Sequence, residues 1–598
     1  MTNDKYIKQT KPFYMNFLRN LIAAIFGTII ALFLIFFIFI GIASMVGSEE
    51  KIEVKAQSVL TLNLDGIVED YVPKSDSPFD ELLGTNDDKY ELSQLINAIE
   101  NAKTDTNIKG ISIELFNTQA GISQMQAIRN KLLDFKTSGK FITAYADMYT
   151  QKNYYLSSVA DSVFINPVGG MEFSGLSTEK LYFKDFQEKY GVKLEVIRHG
   201  KYKSAMEGFI SDKMSEANRE QTLSFLGSIW SEIIDDIAIS RKKTVAELNL
   251  VADNNGASSI ALALQNNLVD GSLYADEYES KLKRLTGKDP AKDLEKIAIT
   301  DYIKSGKGQI ISTAKDKIGI LYAQGEIMYG KGDASYIGQK TMIEAIRKMK
   351  DDKSIKAIVL RINSPGGSAL ASDLIWREIE LVKKVKPVVV SMGDVAASGG
   401  YYIACNADRI FAEPTTITGS IGVFGAIPNM AGLAGRMGIN AEQVSTNKGA
   451  NYSVFEPLSE DFHNVVKGSI DDIYQTFIRH VATGRKMTKE AVDSIGQGRV
   501  WTGKEAKQIG LVDELGGLND AIAYTAKLVK IDQYKLTVFP RYKKDLKDAL
   551  SLNPFMKTKE EALIKEIGLE NYQMYKTLQS FQNMKGAQAR LPFVFVIK

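Results

Sequence analysis

The octapeptide Lys109 to Phe116 (Lys-Gly-Ile-Ser-Ile-Glu-Leu-Phe) returns 247 residues later as Lys356 to Asn363 (Lys-Ala-Ile-Val-Leu-Arg-Ile-Asn). The same offset carries Tyr154-Tyr155 onto Tyr401-Tyr402, Ala160-Asp161 onto Ala407-Asp408, Gly191 onto Gly438 and Lys201 onto Lys448. Leu268-Val269-Asp270 reappears as Leu511-Val512-Asp513, four residues out of that register. Solenoid repeats have periods of about 20–50 residues, so a period this long means a duplicated domain. Each copy alternates short apolar runs with longer segments of helical spacing. In the second copy Ile318 to Tyr322, Ala357 to Ile362 and Val388 to Val390 read as strands, and Ala369 to Val385 reads as a helix. That alternation predicts an α/β domain with a parallel sheet.

The N-terminus sets the chain's surroundings. No charge occurs from Asn20 to Ser48, and Leu21 to Val46 is a nearly unbroken apolar run of 26 residues. A helix needs about 20 such residues to cross the hydrocarbon core. A cleaved signal peptide has an apolar stretch of only about 7–15, so the run reads as a retained anchor. Lys5, Lys8, Lys11 and Arg19 precede it and Glu49 and Glu50 follow, which puts the first 20 residues in the cytoplasm and the body outside. The remaining divisions are a first repeat over 56–286, a linker over 287–316, a second repeat over 317–540 and a basic extension over 541–598 with helical composition from Lys543 to Gly568 and an apolar end at Leu591 to Ile597. Val72 to Lys89, rich in Pro, Ser, Asp and Gly, reads as an exposed loop.

Net charge is +2, from 74 basic and 72 acidic residues, and gives no reason to expect a nucleic-acid partner. One cysteine, Cys405, excludes an intrachain disulfide and a cysteine metal cluster. The three histidines, His199, His463 and His480, are too few for a histidine-rich metal site and leave few bases for nucleophilic catalysis. His199 lies four residues from Lys203 and is the histidine to watch for a His-based alternative.

Three loops carry candidate chemistry. Asn363-Ser364-Pro365-Gly366-Gly367-Ser368 joins a strand to a helix, and its glycines offer free N–H groups to a developing oxyanion; a plain strand-to-helix turn has the same look. Gly393 to Tyr402 contains Ser398 at a strand-to-helix turn, flanked by small residues. A serine there is a nucleophile candidate or a simple helix cap. The third loop, His199 to Ala205, contains two lysines. Lys201 has a lysine counterpart in Lys448, but Lys203 falls opposite Ala450, and Ser398 falls opposite Gln151. Each copy has kept one polar group that the other lacks. A serine from one half and a lysine from the other make a dyad, because a buried lysine loses its charge readily and then serves as a base. Independent surface drift gives the same asymmetry.

At these residues the chain resembles the signal peptide peptidase A family in its long form, also called protease IV. The resemblance rests on Asn363-Ser364-Pro365-Gly366-Gly367, Ala397-Ser398-Gly399-Gly400-Tyr401, Thr418-Gly419-Ser420-Ile421-Gly422-Val423 and Tyr202-Lys203-Ser204-Ala205, and runs from the anchor to about residue 540. Met206-Glu207-Gly208-Phe209 departs from the family's commoner Val-Glu-Pro-Phe. The resemblance implies a tandem duplication of a crotonase/Clp-protease-like domain behind one transmembrane helix. It implies Ser398 as nucleophile, Lys203 as general base, Ser420 as the residue that orients the lysine, and backbone N–H groups of Gly366, Gly367 and Gly399 as the oxyanion hole. It further implies no cofactor and no metal, a homotetramer in the bacterial inner membrane with a periplasmic body, and released signal peptides and other apolar peptides as substrates. A crotonase-type acyl-CoA enzyme and a catalytically inactive membrane scaffold are the alternatives.

Overall fold

A computed structural model describes residues 4–46, 52–73, 89–116, 118–289, 292–450, 452–542 and 586–590. The expected helical stretch after Lys543, the apolar end at 591–597 and most of the 72–89 loop lie outside the described residues. The chain divides into two units. The first holds the helix Asp4–Val46, 43 residues long. Within it Asn16–Phe37 has a mean hydropathy of 2.5 over its most apolar window and exposed side chains, so it is long and apolar enough to cross a membrane.

The second unit holds the duplicated body, and the duplication is legible in its hydrogen-bond ladders. The first sheet runs in the order Lys296–Ala298, Ser58–Leu62, Ile108–Ile113, Phe141–Tyr149, Ser162–Met171, Gly271–Ser272. The second has a like path, Lys535–Phe539, Lys317–Gln324, Ile355–Ser364, Val388–Ala397, Arg409–Ala412, Glu514–Leu515, and forks at Val388–Ala397 to a further branch of Ile417–Gly419 and Val500–Thr502. Both are parallel along this path. Their central strands are near-continuous apolar runs, as sheets covered on both faces require: Leu60, Ile111, Val359, Leu360 and Val389 have no solvent exposure.

Polar contacts repeat as well. The Tyr154 hydroxyl donates to the Leu268 carbonyl at 2.7 Å, and the Tyr401 hydroxyl to the Leu511 carbonyl at 2.9 Å. Asp270 accepts the Val163 N–H at 2.7 Å, and Asp513 accepts the Ile410 N–H at 2.8 Å. The repeated Leu-Val-Asp triplets therefore persist because each pins the last strand of its sheet to a buried tyrosine and a neighbouring strand.

Two sequence expectations change. The 287–316 stretch, expected to be a linker, supplies Lys296–Ala298 as the edge strand of the first sheet, paired with Val59 to Thr61. Three residues are too few to show a period-2 pattern. The 541–598 extension supplies Gln588–Arg590, an antiparallel strand lodged between Gly366–Ser368 and Val423–Asn429.

The halves are bolted together by buried polar contacts. Arg361 of the second sheet donates from Nε and Nη2 to Asp70 Oδ1 at 3.0 and 2.7 Å, and from Nη1 to the Ser391 hydroxyl and the Met392 carbonyl. Asp70 and Arg361 are both buried. Asp70→Ala strands that guanidinium without its anion, and is expected to lower unfolding free energy by about 3–5 kcal/mol. Urea titration of the two proteins measures this, and a loss under about 1 kcal/mol would show that the pair is not an essential joint. Asp394 accepts the N–H groups of Ser123 and Gln124 at the start of the helix Ile122–Lys136. Its burial still pushes the carboxyl up to about 6.

Candidate active site

Ser398 sits where the strand Val388–Ala397 breaks into the helix Gly399–Ala404. Its backbone lies at φ 56°, ψ −112°, outside the regions that L-residues prefer, and such strain persists only where the surroundings hold it. They do. The Ser398 N–H donates to the Gly419 carbonyl, and the Ser398 carbonyl accepts from Tyr402, both at 2.8 Å. The side chain makes no capping bond to the helix it precedes. Its hydroxyl is turned instead toward Lys203.

Lys203 reaches this point from the first copy by a specific route. The strand Lys193–His199 pairs antiparallel with Val423–Asn429 of the second copy, seven residues deep, from Val423 opposite His199 to Asn429 opposite Lys193. The chain then turns at Gly200, at φ +111°, where a Cβ would lie 2.5 Å from the Gln497 backbone. Tyr202 donates its N–H to the Gln497 carbonyl at 2.8 Å. The Arg198 guanidinium holds the Lys203 carbonyl at 2.9 Å.

The Lys203 side chain has no solvent exposure. Its Nζ lies 2.9 Å from Ser398 Oγ, 3.1 Å from Ser420 Oγ and 3.2 Å from the Ser420 carbonyl oxygen. Burial pushes the amine well below the ordinary lysine range, since desolvation disfavours the ammonium. A neutral amine has two N–H donors and one lone pair, which matches three contacts: two donations to Ser420 and one lone pair facing the Ser398 hydroxyl. Such an amine can take the hydroxyl proton as the oxygen attacks an electrophile.

The glycine loop closes the site. Gly366 and Gly367 have φ of +94° and +156°. A Cβ on Gly366 would sit 2.6 Å from the Gly399 nitrogen, so the two glycine loops meet backbone to backbone. The Gly366 N–H reaches the Ser364 hydroxyl at 3.2 Å, while Gly367 lies in the ladder beside the C-terminal strand. All six residues singled out from the sequence thus gather in one place. His199 does not turn to the serine: its Nδ1 contacts Asp471 at 2.6 Å and its ring stacks on Tyr474. His480 contacts Asp373 and stacks on Trp376.

Gly498 is part of the site although the sequence did not point to it. Its φ is +77°, and a Cβ there would lie 2.6 Å from Lys203 Cβ. One glycine among 47 carries no mark of its own in a single sequence.

Comparison with known proteins adds an independent line. A model of peptidase family S49 matches residues 134–288 and again 380–532, one match in each half. A Clp protease model matches residues 308–418. "Protease 4" of Haemophilus influenzae is 34% identical over 88% of this chain and 88% of its own length. "Protease 4" of Salmonella typhi is 35% identical over 88% of this chain and 86% of its own. The chloroplastic "Serine protease SPPA" of Arabidopsis thaliana is 35% identical over 83% of this chain and 73% of its own.

Proposed function

The chain belongs to peptidase family S49, and from that premise we propose that it is a membrane-anchored endopeptidase that degrades released signal peptides by a Ser398–Lys203 dyad. The 2.9 Å approach of a buried lysine amine to a strained serine hydroxyl carries this reading. Lys203 removes the Ser398 proton as Oγ attacks a peptide carbonyl carbon. The Gly366, Gly367 and Gly399 backbone faces the oxygen that gains charge, where preorganised donors act most strongly. The amine returns the proton to the leaving nitrogen, an acyl-enzyme remains, and water activated by the same lysine releases it. Ser420 fixes the rotamer of Lys203 so that its lone pair faces the serine.

We place residues 1–20 in the cytoplasm, the span at 21–46 and the body in the periplasm, with the repeats over 56–298 and 317–540 and a homotetrameric assembly. An enzyme held at the membrane surface meets apolar peptides as they leave the bilayer, and an extended peptide suits a slot between two strands.

Labelling with a fluorophosphonate serine probe, alongside hydrolysis of a synthetic signal peptide, tests the proposal. The expected result is one covalent adduct, on Ser398, with loss of peptidase activity in step. An unlabelled protein would favour the inactive scaffold, and turnover of an acyl-CoA thioester would favour the crotonase-type enzyme. The pH profile follows from the lysine. Activity needs the neutral amine, so kcat/KM should rise with pH and reach its plateau below the ordinary lysine pKa of about 10.4. A rising limb centred near 10.4 would mean that Lys203 is not the base.

A further inference from the structure

The helix Glu216–Arg241 belongs to the first copy and meets the second through one stripe of polar side chains. Gln221, Ser224 and Ser228 follow one another at helical spacing, which puts them on one face. The Ser228 hydroxyl meets the Thr502 hydroxyl at 2.8 Å, and the Ser224 hydroxyl donates to the Glu505 carboxylate at 2.8 Å. Gln221, the third member, has no solvent exposure.

The Gln221 carboxamide touches the supports of both lysine and serine. Its Nε2 donates to the Tyr202 carbonyl at 3.0 Å and to the Ser204 hydroxyl at 3.1 Å, the residues on either side of Lys203. Its Oε1 accepts the Val500 N–H at 3.3 Å. That N–H belongs to the same peptide unit as the Arg499 carbonyl, which accepts the Ser420 N–H at 2.7 Å. Val500 also lies opposite Gly419 in its ladder, and the Gly419 carbonyl accepts the Ser398 N–H. The bonds close a ring. It runs from Gln221 through Tyr202 to Lys203, across Nζ to Ser420, and back through the Arg499–Val500 peptide to Gln221. A backbone carbonyl only accepts and a backbone N–H only donates, so the group between them must do the opposite at each end, as an amide does.

We propose that Gln221 is a positioning residue of this site, tying the chain on both sides of Lys203 to the peptide that carries Ser420. This rests on the Ser398–Lys203 reading and adds to it what fixes the root of the lysine. Ser420 holds the amine, whereas Gln221 holds the backbone from which the amine extends. The stem between them is long and flexible, so contacts at the amine alone leave the root free to shift. A reacting group misplaced by about 1 Å costs about 10²-fold in rate. A fixed root also keeps the amine dry, and a dry amine gives up its proton more readily. Ser224 and Ser228 keep the helix seated when Gln221 is changed, which separates holding the lysine from holding the fold.

Hydrolysis of a synthetic signal peptide by the full chain, followed against pH, tests this on Gln221→Met and Ser228→Ala. Gln221→Met should lower kcat by about 10- to 100-fold and leave KM within about twofold. Its rising pH limb should move up toward the ordinary lysine range, because a loosened lysine regains water. Ser228→Ala removes a contact of the same stripe and should keep both kcat and the limb of the wild type. If Gln221→Met does not fold, Gln221→Glu has the same shape and keeps an acceptor for Val500. At alkaline pH its ionised carboxyl has no N–H for Tyr202, and the same loss of kcat is expected. The inference is overturned by a folded Gln221 variant with kcat within about threefold of wild type, by a loss that falls on KM alone, or by an unmoved limb in Gln221→Met. It is overturned equally by a Ser228→Ala that loses as much kcat, or by failure of both Gln221 variants to fold, which would make the residue a support of the fold. Each of these leaves the dyad reading intact while Ser398 of the wild type takes the fluorophosphonate. A wild type that stays unlabelled and inactive overturns both.

Discussion

Lys203→Met yields a folded protein with a higher thermal midpoint and no measurable peptidase activity. The two effects have one origin. Methionine fills nearly the same volume without a group that must be desolvated. The Lys203 amine has a lowered pKa in the folded state. Between that value and about 10.4 the unfolded chain holds a proton that the native chain does not, so stability rises with pH across this window. Below the folded pKa the full cost of burying an ammonium is present. At neutral pH the substitution removes much of that cost. Activity falls by about 10⁴-fold, the upper end of what a positioned base supplies. On the proposed dyad serine and lysine act as one unit, so Ser398→Ala combined with Lys203→Met should be no worse than either alone. Differential scanning calorimetry and signal-peptide hydrolysis measure the two sides. Activity within tenfold of wild type would remove Lys203 from the mechanism. A marked drop in midpoint would mean that the lysine contributes more through its contacts with Ser420 than it costs by burial.

Gly366→Ala is the second substitution with a large expected effect, although it adds a single methyl group. The position has φ +94°, and the added carbon would enter the space that the Ala589 carbonyl oxygen now fills, 2.6 Å from the Gly399 nitrogen. No flexible side chain is there to yield, because both neighbours are backbone. Losing one oxyanion donor costs about 10²–10³ in kcat, and blocking the space itself costs at least that much. Fluorophosphonate labelling should fail as well, since the probe needs the same donors. Turnover within about threefold of wild type, an effect far below that of losing a donor, would place the oxyanion elsewhere.

Long local patterns were readable in the sequence, and short or remote pairings were not. Copies that share a register expose their exceptions: Ser398 opposite Gln151 and Lys203 opposite Ala450 stand out because their surroundings repeat. The structure places those two side chains 2.9 Å apart. The ladder that brings them together left no trace, because Lys193–His199 pairs with residues more than 200 positions away and its burial is mixed. Lys296–Ala298 and Gln588–Arg590 are three residues each, too short to show a strand period. Ala587-Gln588-Ala589 lies in a stretch of basic composition, and its place in the sheet depends on the remote glycines it lies against. Composition also hid the Asp70–Arg361 pair, since either residue in isolation reads as surface charge.

The ladder between Lys193–His199 and Val423–Asn429 has an evolutionary consequence. A doubled gene ordinarily keeps a spare, and either copy can decay without loss. Here the strand of one half is completed by the other, and the chemistry, on the proposed mechanism, is split across the same seam. The duplication has become a ratchet. Neither half can be deleted, shortened or moved to a separate chain at the wrong stoichiometry without silencing both, so selection must act on the pair as a single inherited unit.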